Sequence, residues 1–302
     1  MGKVTLAIDL GGTNTKMGLV DSDLNLIAEK SILTLGKLGP EQATAQWIST
    51  ALEWKKNHSL DLIGIGSPGP LDSDKGIILT TPNLSSWANF PITKTLSDKL
   101  GVPCFIENDA NCAVLGEFAQ CKIPDLVMIT LGTGVGCGVI SDGNLIRGVK
   151  GLGVEAGHTV IDPNGPLCGC GRHGCLEAFV GGRLFVAKYN EKSKDKIPEL
   201  HAHLIFERAK KGDAIAQDLV YSWTKHLAIG VGNFINIFNP SRVTLTGGLS
   251  AAYHEIKTTF NEILLRESFE PSLKCCEVVV SQLQERAAIL GAAIWARQQN
   301  SR

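Results

Sequence analysis

The chain has 302 residues, 44% hydrophobic and 20% charged, a composition that can bury one large core or two of ordinary size. Its formal net charge of -1 gives no electrostatic reason to expect a nucleic-acid partner, so any site for a polyanion must be local. The N-terminus turns polar at Asp9, Leu6 stands where a myristoylation signal needs Ser or Thr, and no uncharged apolar run approaches the roughly 20 residues that cross a bilayer. The expectation is a soluble, cytoplasmic protein with no membrane and no nucleic acid among its partners.

In chain order, the first feature is Ile8-Asp-Leu-Gly-Gly-Thr13 followed by Gly18-Leu-Val-Asp21: a β-branched run, a glycine turn and a second apolar run, which predicts a hairpin. A helix is expected near Glu41 to Lys56 and a strand over Leu62 to Gly66. A second strand, Pro103 to Glu107, should lead into a helix from about Ala110 to Gln120. Ile129-Thr-Leu-Gly-Thr-Gly134 with Gly138-Val-Ile-Ser141 then repeats the opening hairpin, suggesting two lobes on one plan. Arg147 to Cys175 is rich in glycine and cysteine and reads as irregular. Helical periodicity dominates Arg183 to Phe238, with a polar break at Asn190 to Lys196, and Asn239-Pro240 ends it because proline cannot continue a helix. A strand, Arg242 to Thr246, runs into Gly247-Gly248 and a further helix. The closing helix, Glu285 to Gln299, carries Ala288, Ile289, Ala292 and Trp295 on one face. Strands alternating with helices predict an α/β fold.

Three glycine turns follow strands. In Asp9-Leu-Gly-Gly-Thr13, Gly11 and Gly12 let backbone N–H groups approach phosphate oxygens, Thr13 adds a hydroxyl, and Asp9 would hold Mg²⁺ through water. Thr133 and Gly134 form the matching turn, and Gly247 and Gly248 offer bare backbone to a base or ribose. Plain hairpins and tight turns are the competing reading of each. No Gly-Lys-Ser/Thr follows, so this is not a Walker loop. Glu107-Asn-Asp109 ends a strand at the mouth of a helix, where ligands bind in open α/β sheets. Asp109 can take the proton of an attacking hydroxyl, with Asn108 beside it; an ordinary helix cap is the other reading.

Nine cysteines is an odd count for a disulfide scaffold, and three of them crowd together. His158, Cys168, Cys170 and Cys175 supply one imidazole and three thiolates, a closed tetrahedral shell for structural Zn²⁺ with no position left for water. A redox pair and chance core thiols are the alternatives; His173 is a spare imidazole at the surface. Glu155 and Glu177 flank the knuckle, where they would accept sugar hydroxyls or remain solvated glutamates.

These segments, running nearly end to end, resemble the ROK family of sugar kinases and repressors, and within it the bacterial glucokinases most. The marks are Asp9-Leu-Gly-Gly-Thr13, Gly66-Ser-Pro-Gly-Pro70, Asn83-Leu84, Glu107-Asn-Asp109, Leu131-Gly-Thr-Gly-Val-Gly136, Glu155-Ala-Gly-His158, Cys168-Gly-Cys-Gly-x-x-Gly-Cys175 and Thr246-Gly-Gly248. The resemblance implies an actin/hexokinase-like (ribonuclease H-like) two-lobed α/β fold with a cleft between lobes. The expected division is 1–118 plus 285–302 for the smaller lobe and 119–284 for the larger, zinc-bearing one. It implies Asp109 as catalytic base and sugar contacts from Gly66, Asn83, Asn108, Glu155, His158 and Glu177, with His158 using one nitrogen for zinc and the other for a sugar hydroxyl. It also implies Mg²⁺ with ATP and a homo-oligomer, dimer or tetramer.

One departure stands out: Gly153-Val154 occupies the place of the family's Ala-Gly before Glu155. The phosphate hairpin begins within ten residues of Met1, so the added DNA-binding domain of the repressor branch is not expected here. The expected activity is phosphorylation of glucose at its 6-hydroxyl. An N-acetylmannosamine or N-acetylglucosamine kinase is the alternative, and a non-catalytic sugar sensor or a zinc-organised structural protein are readings of other classes.

Overall fold

The structure is a computed structural model that describes residues 2–12, 14–34, 39–79 and 85–301, without the side chain of residue 85. In chain order its regular elements are β1 (Lys3–Leu10), β2 (Asn14–Val20), β3 (Leu26–Leu33), α1 (Pro40–Lys55), β4 (Ser59–Ser67), β5 (Leu71–Asp72), β6 (Ile77–Ile78), α2 (Ile92–Leu100), β7 (Cys104–Asn108) and α3 (Asp109–Cys121). There follow β8 (Leu126–Leu131), β9 (Val135–Ser141), β10 (Asn144–Leu145), α4 (Leu176–Val180), α5 (Gly182–Lys192), α6 (His203–Lys210), α7 (Ala214–Phe238), β11 (Arg242–Thr246), α8 (Tyr253–Glu267), α9 (Glu270–Lys274), β12 (Glu277–Val280) and α10 (Arg286–Asn300). The described chain divides into two compact units, one of Met1–Lys122, Leu145–Val154 and Glu285–Arg302, the other of Ile123–Asn144 and Glu155–Gln284. Among the described residues no helix is long and apolar enough to cross a membrane.

The first unit is built on a sheet of order β3-β2-β1-β4-β7. The expected hairpin is there: β1 and β2 pair antiparallel, while β1, β4 and β7 run parallel. Central β1 is flanked by strands on both edges and covered on both faces, which is why its sequence is a continuous apolar run rather than an alternation. Leu6, Ile8, Ile63 and Ile65 pack with Trp47 of α1 and Trp87, all fully buried. On the other face lie α3 and α10, pressed together by glycine: a Cβ on Gly291 would stand 1.6 Å from the Cys112 carbonyl oxygen, and one on Gly116 2.1 Å from that of Ala287. Trp295 donates its indole N–H to the Ile106 carbonyl at 3.1 Å, fixing α10 to β7.

The second unit repeats the plan with a sheet of order β10-β9-β8-β11-β12, a hairpin β8–β9 followed by parallel β8, β11 and β12. The helical stretch foreseen from Arg183 to Phe238 is three helices, α5 to α7, preceded by short α4; the polar break runs from 193 to 202. Helix α7 starts with Asp213 accepting from the Ala216 N–H at 3.0 Å and ends at Asn239 in the left-handed region (φ 45°), just before Pro240 as expected. The irregular stretch holds two short 3₁₀ turns, Val149–Gly151 and Ala156–His158.

Candidate active site

Register places the carboxyl ends of three parallel strands side by side in the first unit. Asp9 on β1 is opposite Gly66 on β4, and Gly66 is opposite Glu107 on β7. Asp9, Gly66 and the Asn108-Asp109 pair are thus collected at one sheet edge from three distant stretches of sequence. At the end of β1 the turn is tight: Gly11 N–H donates to the Asn14 carbonyl at 3.0 Å, and a Cβ on Gly11 would sit 2.6 Å from that oxygen. Gly12 is exposed; Thr13 and Asn83 lie outside the described residues.

The sequence left Asp109 as either cap or base. The cap is Asn108, whose Oδ1 accepts from the Ala110 and Asn111 N–H groups at 2.9 and 3.2 Å. Asp109 is therefore the first residue of α3, half-buried, with its Oδ1 accepting from the Ala110 N–H at 2.8 Å. Its carboxylate bears on Asp9. Burial first, then the charge of Asp109, raise the Asp9 pKa to about 7; Lys16, its cross-strand partner, pulls the other way and Glu285 adds to the rise. Lys16 is ion-paired with Glu285. Two mutually repelling carboxylates beside a glycine turn are a donor set that a hard divalent cation such as Mg²⁺ would fit.

The sequence reading quoted Glu107 without giving it a role and did not single out Arg147. Glu107 is fully buried and uses both oxygens: Oε1 accepts from Asn108 N–H at 2.8 Å and Asn111 Nδ2 at 3.0 Å, and Oε2 accepts from Arg147 Nε at 2.7 Å. The charge closing an apolar strand was the available signal for Glu107; nothing local marks Arg147.

In the second unit the two remaining glycine turns lie together at the ends of β8 and β11. Leu249 N–H donates to the Leu131 carbonyl at 3.0 Å, and Gly247, at φ 89°, would bring a Cβ to 2.5 Å from that oxygen. The Gly132-Thr133-Gly134 turn is held from outside: its Gly132 and Thr133 carbonyls accept from Gly182 and Arg183 N–H at 2.9 and 3.1 Å. Glu177 Oε2 accepts from Val135 N–H at 3.0 Å and would lie 2.3 Å from a Cβ on Gly134. Thr133 is exposed, as is Gly248. Glu155 is also exposed; its pKa is raised by partial burial and by Glu177, while His158 acts against the rise.

The four knuckle residues converge. One ligand atom from each of His158, Cys168, Cys170 and Cys175 lies within 4.8 Å of all the others. Cys170 Sγ is 3.7 Å from Cys175 Sγ, and Cys168 Sγ is 3.6 Å from His158 Nδ1. A tetrahedral ion with Zn–S bonds of about 2.3 Å needs neighbouring donors about 3.8 Å apart, so the residues fit Zn²⁺ and are too far apart for a disulfide. Burial opposes ionisation of Cys170, but hydrogen bonds from Arg172 and the neighbouring thiols prevail and lower it to about 6, a thiolate ready to bind metal. A small hairpin makes the convergence possible: Cys168 N–H donates to the Arg172 carbonyl at 2.8 Å and Gly171 N–H to the Cys168 carbonyl at 3.0 Å. His173 Nδ1 donates to the Gly165 carbonyl at 3.1 Å, apart from the four.

The sequence pattern of the ROK family matches residues 5–299, all but the two ends of the chain. The chain belongs to the ROK family. Its fold is accordingly the α/β actin/hexokinase-like fold. Among ROK proteins, a glucokinase of Thermotoga maritima is 38% identical over 95% of both chains. An N-acetylmannosamine kinase of Escherichia coli is 32% identical over 97% of this chain and 98% of its own. The solved structure of a ROK glucokinase from Streptomyces griseus in complex with glucose and AMPPNP superposes with a TM-score of 0.81 at 28% identity, covering 98% of this chain and 99% of that one.

The Gly153-Val154 pair has a distinctive backbone. Val154 adopts φ 63°, in the left-handed region where glycine is unstrained and a β-branched residue is not. A Cβ at Gly153 would fall 2.9 Å from the Arg147 carbonyl oxygen, to which Gly153 N–H donates at 2.8 Å. Gly153 leaves room for the Arg147 carbonyl, and Val154 makes the turn into Glu155.

Proposed function

We propose that this ROK protein is an ATP-dependent hexose kinase that phosphorylates glucose at its 6-hydroxyl. The observation that carries the reading is the shared sheet edge, where Asp9, Gly66, Asn108 and Asp109 stand at the carboxyl ends of adjacent parallel strands. In this reading Asp109 accepts the proton of the 6-hydroxyl as its oxygen attacks the γ-phosphorus; the bond to the β-phosphate oxygen breaks and ADP leaves. Gly66, Asn83 and Asn108, with Glu155, His158 and Glu177, would bind the sugar. Gly11, Gly12 and Thr13, with Thr133 and Gly134, would hold phosphates, and Gly247 and Gly248 the adenosine. Asp9 would hold Mg²⁺, which neutralises charge on the phosphates. Zn²⁺ on His158, Cys168, Cys170 and Cys175 would be structural: bound through Nδ1, the face of His158 towards Cys168, it leaves Nε2 a donor for a sugar hydroxyl.

The competing acceptor is an N-acetylhexosamine, favoured by the likeness to an N-acetylmannosamine kinase over nearly the whole chain. A coupled ADP-release assay over glucose, mannose, fructose, N-acetylmannosamine and N-acetylglucosamine separates the two. Glucose is expected to give the highest kcat/KM; turnover confined to an acetylated sugar transfers the assignment to it, and no turnover with any of them leaves the non-catalytic reading.

A further inference from the structure

We propose that Glu107 and Arg147 act as a latch that positions Asp109, an inference that rests on the kinase reading above. A carboxylate with no exposed surface at the end of an apolar strand is expensive unless paired, and Arg147 pairs it at 2.7 Å. Stability alone does not account for such a pair, since well-packed apolar residues commonly serve as well. Its remaining bonds are more telling. Glu107 Oε1 accepts from Asn108 N–H, the residue before Asp109, and from the side chain of Asn111, two residues after it. The carboxylate therefore grips both flanks of Asp109, while Asn108 caps the same helix turn.

Arg147 is itself anchored. Its guanidinium lies over the Trp295 ring, 4.4 Å from the centroid, and Trp295 donates to the Ile106 carbonyl of the strand that carries Glu107. The Arg147 carbonyl accepts from Gly153 N–H at 2.8 Å, closing a loop whose next residues are Val154 and Glu155. Arg147 thus ties the strand end bearing Asp109, through its guanidinium, to the segment that precedes Glu155, through its carbonyl. Neither Glu107 nor Arg147 is assigned a contact with substrate; both are positioning residues.

Steady-state kinetics on Arg147→Met, Arg147→Lys and Glu107→Asp test this, with circular dichroism to establish the folded fraction. A misplacement of the order of 1 Å can cost about 100-fold in rate. Arg147→Met should lose roughly 30- to 100-fold in kcat per folded molecule with KM for sugar and MgATP within about twofold. Arg147→Lys, which keeps the charge and the ring contact, should recover most of the loss. Glu107→Asp keeps the ion pair but withdraws the carboxylate from Asn108 N–H, and should lose about tenfold in kcat; it carries the test if Arg147→Met does not fold. Wild-type kcat in folded Arg147→Met or Glu107→Asp, or a loss lying wholly in KM, overturns the latch alone. No turnover by the wild-type protein on any hexose overturns the kinase reading, and the latch with it.

Discussion

Replacing Asp109 with Asn removes a proton acceptor while keeping the shape at the start of α3 and the Asn108 cap beside it. General-base catalysis typically supplies 10²- to 10⁴-fold, so kcat should fall by about 10³ while calorimetric sugar affinity stays within a few-fold of wild type; a variant within tenfold of normal turnover would show that another group takes the proton. Asp9 gives a pH signature. Its pKa, raised from 3.8 to about 7, means that between about pH 4 and 7 the folded chain holds a proton that the unfolded chain has released. In metal-free protein this group therefore makes the fold less stable as pH rises through that window, and contributes no further change above it. On the proposed reading, Mg²⁺ held at Asp9 would have to displace the same proton. KM for MgATP should accordingly fall as pH rises towards 7 and level off beyond, and Asp9→Asn should raise KM and flatten the profile; an unflattened profile assigns the titration elsewhere. Local spacing made Asp9, Asp109 and the knuckle visible in the sequence, because each lies within a short motif. Arg147 was invisible because its carboxylate partner is 40 residues away and no neighbour betrays the pairing.

The elements that sequence revealed best were those with a full local signature. Both glycine hairpins, the strand Arg242–Thr246 and the long helix ending at Asn239-Pro240 were legible from β-branched runs, turn glycines and caps. Strand β3 was missed because it is an edge strand with mostly exposed positions, so its apolar signal is weak. Helix α2 was missed although Ile92, Leu96 and Leu100 recur every four residues, because only three apolar positions define its nine residues. The knuckle is an element in the same sense, a 3₁₀ turn and a small hairpin that four donors would tie together. Purified protein should carry about one zinc per chain, and Cys170→Ser should lose the metal, melt at a lower temperature and bind sugar at least tenfold more weakly. Freshly purified protein without zinc, or a Cys170→Ser variant with unaltered metal content, would refute the site.

The whole molecule divides its proposed work between two units built on one sheet plan, each offering glycine turns at strand ends. The pattern of alternating strands and helices and the near-repeat of the hairpin made that plan readable in the sequence. Acceptor choice was not readable, because it would depend on side chains contributed by residues far apart in the chain, which short local motifs do not report. The central claim is that the γ-phosphoryl group goes to a sugar alcohol and not to water. Phosphorus NMR of zinc-replete protein with MgATP and glucose tests it most directly: glucose 6-phosphate is predicted to appear in step with ADP, whereas ADP without a sugar phosphate, or neither product, would contradict it.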